Sequence, residues 1–250
     1  MALFTDKVVV VTGAGSGIGR GLVAGFCRDG AHVVGIGRTE DDLRATADTH
    51  GHGRMQFVVG DVSRSEDVEQ LFATTEDLHG RVDVLINNAA VYPKVTFLDS
   101  DINEWCRAID INVGGMARCC HRALPGMLQR GHGRVINVGS YAWRGPIPMA
   151  SAYSASKGAV HALTLAIAAE VDRYRQPDVL VNEWMPGVFR TRMTPDSETD
   201  PMMAYEGART IASLGIGGAH GREFLGSQLM LEALGFKARV KQKLKALLGQ

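Results

Sequence analysis

Two side chains suited to proton transfer, Tyr153 and Lys157, lie four residues apart at the start of an alanine-rich segment. On a helix, this spacing projects both side chains from the same face. A phenol with a pKa of about 10 is a poor base at neutral pH, and a cation beside it favours the ionised form. We therefore expect Tyr153 to be a general acid/base that acts on a substrate oxygen. The alternative is an ordinary surface pair.

Ser140 is a candidate for the same site. It follows the strand-like run 135–139, and a loop rich in glycine and proline then leads to the segment that carries Tyr153. A hydroxyl group at the end of a strand can hydrogen-bond the substrate oxygen, hold it in line and stabilise some of its charge.

Asn112 lies within a helical pattern over residues 103–129, just before Gly114 and Gly115. A polar residue followed by glycines is typical of a kinked helix, in which a freed carbonyl group can hold a water molecule. The alternative is an asparagine that hydrogen-bonds its own turn.

A glycine cluster follows four consecutive valines, residues 8–11. The valines suit a strand buried on both faces, and glycines let the backbone approach an anion at the start of the next helix. Neither the dinucleotide pattern G-x-G-x-x-G nor a phosphate-binding Gly-Lys-Ser/Thr fits these positions. The pattern present is T-G-x-x-x-G-x-G, for which the alternative is a structural turn with incidental glycines. Its fixed positions are Thr12, Gly13, Gly17 and Gly19.

The second predicted strand ends at Gly37 and is followed by Arg38. In a nucleotide-binding βαβ unit, an acidic residue at this strand end would accept both ribose hydroxyls and repel a 2′-phosphate. Arginine can instead pair with a phosphate through two hydrogen bonds. The sequence therefore favours NADP(H) as the cofactor, and NAD(H) held by other contacts is the alternative.

The next two strand ends also carry polar residues. Asp61 follows the third strand and could accept a hydrogen bond from an adenine amino group, or open an ordinary turn. The fourth strand runs into Asn87-Asn88-Ala89-Ala90, where small side chains let the backbone pass close to a ligand.

In order and spacing, these motifs resemble the short-chain dehydrogenase/reductase family over residues 7 to about 193. The resemblance implies a tetrad in which Tyr153 is the general acid/base and Lys157 lowers its pKa and binds the nicotinamide ribose. Ser140 would orient the carbonyl group, and Asn112 would hold a water that links Lys157 to solvent. The cofactor-binding residues implied by the resemblance are Gly13, Ser16, Gly17, Ile18, Gly19, Arg38, Asp61, Val62, Asn88, Ala89, Tyr153, Lys157, Pro186, Gly187, Val188 and Thr191. The family usually has glycine where this chain has Ala90, so the local backbone there would be strained if it needs a positive φ.

Alternating Val/Ile-rich and amphipathic runs predict a doubly wound, mostly parallel sheet with helices on both faces, a three-layer α/β/α Rossmann fold. The predicted strands cover residues 7–12, 32–37, 55–60, 82–87, 134–140 and 178–184. Capping boxes are predicted at Thr39 and Ser63. The long helices 103–129 and 152–174 are candidates for the interface of a homodimer or homotetramer.

The chain has 250 residues, 45% of them hydrophobic, which suits one domain with a sizeable core over residues 1–250. Lys plus Arg and Asp plus Glu number 27 each, so the net charge favours neither nucleic acid nor a membrane as a partner. Without a signal peptide or a transmembrane run, we expect a cytoplasmic protein. The histidines are scattered, and no metal site is predicted. Reduced core residues are predicted for Cys27, Cys106, Cys119 and Cys120.

The segment from about 194 to 250 diverges from the family. Residues 194–201 are polar and contain prolines, which indicates a mobile segment over the site or an ordinary surface loop. Residues 222–225 predict a weak strand, and the chain ends in a basic helix whose apolar stripe suits docking or a subunit contact rather than a membrane. That stripe consists of Phe236, Val240, Leu244 and Leu247. An apolar substrate pocket, or plain packing, is predicted for Trp143, Met149, Met193, Met202 and Met203.

Together these features predict an NADP(H)-dependent oxidoreductase that interconverts a ketone and a secondary alcohol and acts on a small-molecule substrate. One alternative is an NAD(H)-dependent alcohol dehydrogenase of the same fold. The other is a cofactor-sensing protein without enzymatic activity, against which Ser140, Tyr153 and Lys157 argue because a sensor needs none of them.

Overall fold

One eight-stranded sheet organises the part of the chain that the computed structural model describes, residues 3–230 without the side chain of residue 173. Its strands are Val8–Thr12 (β1), His32–Gly37 (β2), Met55–Val59 (β3), Val84–Asn87 (β4), Gly133–Val138 (β5), Val179–Met185 (β6), Glu223–Leu225 (β7) and Gln228–Leu229 (β8). Their order across the sheet is β3-β2-β1-β4-β5-β6-β7-β8. All neighbours are parallel except β7 and β8. The predicted doubly wound, mostly parallel α/β fold is confirmed, and each of the six predicted strands is present to within two residues at either end.

Helices cover both faces of the sheet and enclose two apolar cores. The α-helices are Gly17–Arg28 (α1), Glu40–His50 (α2), Ser65–His79 (α3), Ile102–Ile109 (α4), Gly115–Arg130 (α5), Ser151–Val171 (α6) and Tyr205–Ala212 (α7). Strand β1 contributes to both cores because side chains alternate along a strand: Val9 and Val11 enter one core and Val10 the other. These three valines are completely buried, as the run of four suggested.

The predicted long helix over residues 103–129 is interrupted where its glycines lie. Helix α4 ends at Ile109, a π-helical turn covers Asp110–Gly114, and α5 begins at Gly115. A Cβ on Gly114 would overlap the carboxylate of Asp110, and one on Gly115 would overlap Val62. The glycines therefore let this widened turn pack closely, and the turn contains Asn112.

Two local predictions are wrong in detail. Thr39 is at the N-cap of α2, but its side chain makes no capping hydrogen bond. Ser63 does not cap α3, which begins at Ser65; its hydroxyl donates instead to Asp61 Oδ1 at 2.8 Å. Asp61 also accepts from the Ser63 backbone N–H at 2.9 Å, so a side-chain turn at the strand end displaces the predicted cap.

Two further expectations are corrected by exposure and backbone geometry. Cys106 is exposed on α4 and is no core residue, whereas the other three cysteines are buried; all four are free thiols. Ala90 is absent from the residues with positive φ among those described, so the alanine that replaces the family's glycine lies in ordinary backbone.

The divergent segment continues the sheet. The weak strand predicted at residues 222–225 is β7, which pairs with β6, and a 3-10 turn over Pro201–Ala204 leads into α7. The predicted basic helix with Phe236 and Leu247 lies outside the described residues. No helix within residues 3–230 is long and apolar enough to cross a membrane.

Candidate active site

The turn between β1 and α1 needs glycine for two separate reasons. Gly13 and Gly17 have φ of +68° and +52°, a region that side chains with a Cβ rarely adopt. Gly19 has ordinary backbone, but a Cβ there would overlap the carbonyl oxygen of Gly13. The start of α1 thus approaches the strand end closely, with backbone N–H groups directed out of the helix N-terminus.

Thr12 joins this turn to the end of β4. Its hydroxyl oxygen accepts from the backbone N–H groups of Asn88 and Ala89, each at 2.9 Å, and the Asn88 amide donates back to the Thr12 carbonyl oxygen at 2.8 Å. The two adjacent strand ends are therefore locked together by side chains that the sequence predicted to lie beside a ligand.

Replacing Thr12 by valine should lower the free energy of unfolding by about 2 kcal/mol, because two backbone donors lose their acceptor in a largely buried place. Urea denaturation measures this loss. Thr12→Ser keeps the hydroxyl group and should retain most of the stability. Equal stability of the two variants would show that the hydroxyl group contributes nothing.

A cavity of about 330 Å³ opens beside the glycine turn. Sequence reasoning placed Ser16, Gly17 and Thr191 at the cofactor and missed the arginines around it. Arg192 is bonded to Asp42 at 2.7 Å, and Arg20 to the Gly15 carbonyl oxygen at 2.8 Å. The complete lining is Ser16, Gly17, Arg20, Arg190, Thr191, Arg192, Pro201 and Met202. Helix-end N–H groups and cations are what a cofactor diphosphate requires, so the residues present fit a dinucleotide.

The predicted adenosine end of the site brings Arg38 close to Asp61. Arg38 is exposed, and no hydrogen bond or ion pair within residues 3–230 engages its guanidinium group. Burial opposes ionisation of Asp61, but hydrogen bonds from Ser63 outweigh it and lower the pKa, with further help from the charge of Arg38. Val62 is buried beside Asp61 and packs in the core.

Ser140 and Tyr153 meet at the carboxyl end of β5. The Tyr153 phenol is near enough to Ser140 for the serine hydroxyl group to influence its pKa, and the Tyr153 ring packs edge-on against Tyr92 with centroids 4.7 Å apart. Lys157 is buried below them; its ammonium group lies 5.5 Å from the centre of the Tyr153 ring and donates to the Val138 carbonyl oxygen at 2.6 Å. The structure thus brings together the three residues that helix spacing and strand order predicted.

The electrostatics differ from the expectation. Burial raises the pKa of Tyr153, the Ser140 hydrogen bond offsets part of this, and Tyr92 adds to the rise. Burial also lowers the pKa of Lys157 to about 8, against the opposing charge of Glu183. The Tyr153 pKa is therefore raised by burial and not lowered as predicted, and the Lys157 ammonium group is hydrogen-bonded to the Val138 carbonyl oxygen. The role of Lys157 towards the phenol stays a prediction.

Asn112 is buried in the π-helical turn and fully engaged by the protein. Its Oδ1 accepts from the Val91 backbone N–H at 2.8 Å, and its Nδ2 donates to the Val91 carbonyl oxygen at 3.0 Å and to Ser156 Oγ at 2.9 Å. The alternative of an asparagine bonded to its own turn is wrong. Asn112 instead connects the strand-end loop after β4 to helix α6, one residue before Lys157.

The segment after β6 lies against the glycine turn. The Thr191 side chain is the nearest neighbour of Gly17, and Gly187 has a φ of +99°. Pro186 is half-buried and Val188 is exposed, as is Arg190. The Arg190 N–H donates to the Thr199 carbonyl oxygen at 2.8 Å, so the polar segment folds back on itself beside the cavity.

The predicted substrate-pocket residues do not form one group. Met202 lines the cavity at the glycine turn, whereas Met149 and Met203 are more than half exposed. Trp143 stacks on His161, with ring centroids 4.4 Å apart. Met193 is half-buried.

Sequence reasoning missed a partly buried cluster of titratable side chains near this site, formed by His161, Glu183 and Glu223. His161 Nδ1 lies 2.7 Å from Glu183 Oε2 and 3.0 Å from Glu223 Oε1. The visible signal was a glutamate inside a buried and mostly apolar strand, β6. This donor set could hold a divalent cation, but Arg144, paired with Glu223, and Lys157 already compensate the two carboxylates, which favours a charge network.

Comparison with known proteins decides the family. The family model described as short chain dehydrogenase matches residues 7–201. The chain belongs to the short-chain dehydrogenase/reductase family. As a member it is an oxidoreductase that acts on CH–OH groups and has the NAD(P)-binding Rossmann fold of the family.

Several oxidoreductases are similar to this chain over most of its length. An uncharacterized oxidoreductase of Staphylococcus aureus strain MRSA252 is 34% identical over 194 residues, 78% of this chain and 83% of the relative. The 3beta-hydroxysteroid dehydrogenase of Mediterraneibacter gnavus is 34% identical over 203 residues, 80% of this chain and 72% of the relative. The crystal structure of a variant actinorhodin polyketide ketoreductase with NADPH has a TM-score of 0.81 at 25% identity and covers 88% of this chain and 95% of that one.

Proposed function

We propose that this protein is an NADP(H)-dependent oxidoreductase that interconverts a ketone and a secondary alcohol, with Tyr153 as the general acid/base. One observation carries the proposal: the Tyr153 phenol lies near the Ser140 hydroxyl group, and the buried ammonium group of Lys157 lies 5.5 Å from the centre of the Tyr153 ring. This is an arrangement of two hydroxyl groups and one cation around the place of a substrate oxygen.

Each residue of the tetrad has a separate task in this proposal. The bound nicotinamide supplies or accepts the hydride. Tyr153 gives its proton to the substrate oxygen during reduction and takes it back during oxidation. Ser140 donates a second hydrogen bond to that oxygen, and Lys157 contributes positive charge and binds ribose hydroxyls. Asn112 holds the loop after β4 against α6 and, with a water, would connect Lys157 to solvent.

The raised pKa of Tyr153 supports catalysis in the direction of ketone reduction. Because burial raises its pKa, the phenol holds its proton at neutral pH and is ready to act as an acid. Oxidation needs the phenolate and should therefore speed up towards alkaline pH.

Arg38 supports NADP(H) over NAD(H). Its guanidinium group is exposed at the end of β2, next to Asp61, and free to pair with a 2′-phosphate. A neighbour in structure binds NADPH, which agrees with this choice. The remaining cofactor contacts are proposed for the glycine turn, Ile18, Asn88, Ala89 and residues 186–191.

We further propose that residues 1–250 are one domain and that the protein is a homodimer or homotetramer in the cytoplasm. Helices α4, α5 and α6 are the proposed contact surface, as the sequence suggested. Light scattering on the purified protein measures the assembly state.

The experiment that tests the proposed activity follows the loss of NADPH absorbance across a panel of ketones. Turnover with NADPH and weaker turnover with NADH is the expected result. Faster turnover with NADH would favour the NAD(H)-dependent alcohol dehydrogenase. Tight cofactor binding without turnover on a broad panel would favour the cofactor sensor.

A further inference from the structure

Arg192 is an exposed arginine whose side chain bonds to a distant part of the chain. Its Nη2 donates to Asp42 Oδ1 on α2 at 2.7 Å, although the two residues are 150 positions apart in the sequence. The Arg192 side chain is 73% exposed, and that of Asp42 is 22% exposed. An ion pair this exposed contributes little to stability, so holding the fold together does not explain it.

Both ends of this ion pair lie against the turn between β1 and α1. On one side, a Cβ on Gly15 would be 3.0 Å from the Cβ of Asp42. On the other side, a Cβ on Gly17 would be 3.0 Å from the side chain of Thr191, which precedes Arg192 in the chain. The Arg192 side chain therefore extends along the glycine turn, from beside Gly17 to beside Gly15.

The backbone that carries Arg192 is held in place by its neighbours. Phe189 anchors the segment in one of the two apolar cores. Thr191 and Thr194 then close a turn, because each donates its backbone N–H to the carbonyl oxygen of the other, at 3.3 and 3.2 Å. The Thr191 hydroxyl oxygen also accepts from the Met193 N–H at 3.1 Å. Arg192 lies within this turn, so its side chain starts from a fixed point.

The cavity at the glycine turn has more positive charge than the protein compensates. Arg20, Arg190 and Arg192 line it, and no acidic residue does so among the residues that the structure describes. Arg20 is bonded to the Gly15 carbonyl oxygen and so stays beside the turn. Asp42 compensates Arg192 from outside the lining. The cavity therefore suits an anion with more than one negative charge, such as a diphosphate.

We propose that Arg192 is a further cofactor-binding residue, which pairs with the diphosphate that NADPH and NADH share after the cofactor displaces Asp42 from it. This inference rests on the proposed function and adds a contact to those proposed for the glycine turn and Arg38. Hydrogen bonds from arginine to phosphate are charge-assisted and stronger than an exposed ion pair, so the exchange of partners is favourable. Asp42 thus competes with the cofactor for one guanidinium group.

Arg192→Gln should weaken the binding of NADPH and of NADH by the same factor, about 10-fold, because both cofactors contain the diphosphate. Fluorescence titration with each cofactor, without a ketone and at one fixed ionic strength, measures the two dissociation constants. A contact with the 2′-phosphate would instead affect NADPH alone. Unchanged affinity for both cofactors, or weaker binding of NADPH alone, would overturn the inference.

Arg44→Gln is the matched control for the loss of charge. Arg44 is an exposed arginine on α2, the helix that carries Asp42, and it forms an ion pair with Glu40. The substitution removes the same charge and breaks an ion pair of the same kind. Its affinities for both cofactors should match those of the unaltered protein. A loss as large as that of Arg192→Gln would show that any positive charge near the turn has this effect, which contradicts the proposed contact.

Asp42→Asn tests the exchange of partners. It keeps the shape of the side chain and removes the charge that competes with the diphosphate, so both cofactors should bind about 3-fold more tightly. In protein that also carries Arg192→Gln, the same substitution should have a smaller effect, because there is no guanidinium group to compete for.

Two results of the Asp42→Asn measurements would refute the exchange. Weaker cofactor binding would show that the intact ion pair helps to hold the cofactor. Equal gains in affinity with and without Arg192→Gln would show that Asp42 acts on the cofactor directly and not through Arg192.

The same measurements distinguish a failure of this inference from a failure of the proposed function. They need no turnover, and thermal unfolding first establishes that each variant is folded. If Arg192→Gln binds both cofactors as the unaltered protein does, and that protein reduces ketones with NADPH, the inference alone fails. If the unaltered protein binds neither cofactor, both fail.

Discussion

Replacing Tyr153 by phenylalanine is expected to lower kcat roughly 1,000-fold, the contribution typical of a positioned general acid/base. The substitution removes one hydroxyl group and keeps the ring that packs against Tyr92, so the fold and the cofactor site should be preserved. Ser140 would still donate a hydrogen bond to the substrate oxygen but would not replace Tyr153 as the proton donor. Steady-state kinetics with NADPH and an active ketone measures the loss, and fluorescence titration measures cofactor affinity.

Tyr174→Phe is a suitable control, since Tyr174 is 64% exposed after α6 and takes no part in the site. It should leave both kinetics and cofactor affinity unchanged. Near-normal turnover of the Tyr153 variant would contradict the acid/base role. Loss of cofactor binding together with turnover would instead indicate a structural role for the hydroxyl group.

Replacing Arg38 by glutamine should weaken NADPH binding roughly 10- to 100-fold and leave NADH binding nearly unchanged. A hydrogen-bonded pair of charged groups contributes about 1.5–3 kcal/mol, and NADH lacks the 2′-phosphate that would form it. Dissociation constants of both cofactors, measured at one fixed ionic strength, give the change in preference.

Arg64→Gln is the matched control, because it removes the same positive charge as Arg38→Gln. Arg64 is exposed and lies near Glu66 and Asp67. Its affinities for both cofactors should match those of the unaltered protein. If Arg38→Gln weakens the binding of NADH as much as that of NADPH, Arg38 acts through its positive charge alone and not through a bond to the 2′-phosphate. The proposed preference for NADP(H) is then refuted.

The parts of the site that the sequence revealed depend on short-range geometry. Positive φ at Gly13 and Gly17 follows from a strand that must turn at once into a helix, and four-residue spacing on a helix places Tyr153 and Lys157 on one face. Four valines in succession predict a strand with two covered faces, as β1 has. Such features involve neighbours in the chain, so residue types alone are sufficient to predict them.

Features that depend on distant partners were beyond that reasoning. Helical spacing cannot tell that Lys157 donates to Val138, on β5, and so it predicted a depressed phenol pKa where burial raises it. The cluster of His161, Glu183 and Glu223 forms only where α6, β6 and β7 meet. Nothing in the sequence around His161, on α6, indicates that carboxylates from two strands lie beside it. The cap predicted at Ser63 failed for a local reason, because Asp61, two residues earlier, accepts the hydrogen bond of its hydroxyl group.

The sheet order has a consequence for how a nascent chain reaches this fold. Strand β1 pairs with β2 on one side and with β4 on the other, and the Val8 N–H is bonded to the carboxylate of Asp83, 75 residues later. During translation, therefore, one edge of the valine-rich strand β1 stays unpaired until β4 has left the ribosome. Unpaired strand edges are prone to pair with other chains, so aggregation competes with folding in the interval before β4 is synthesised.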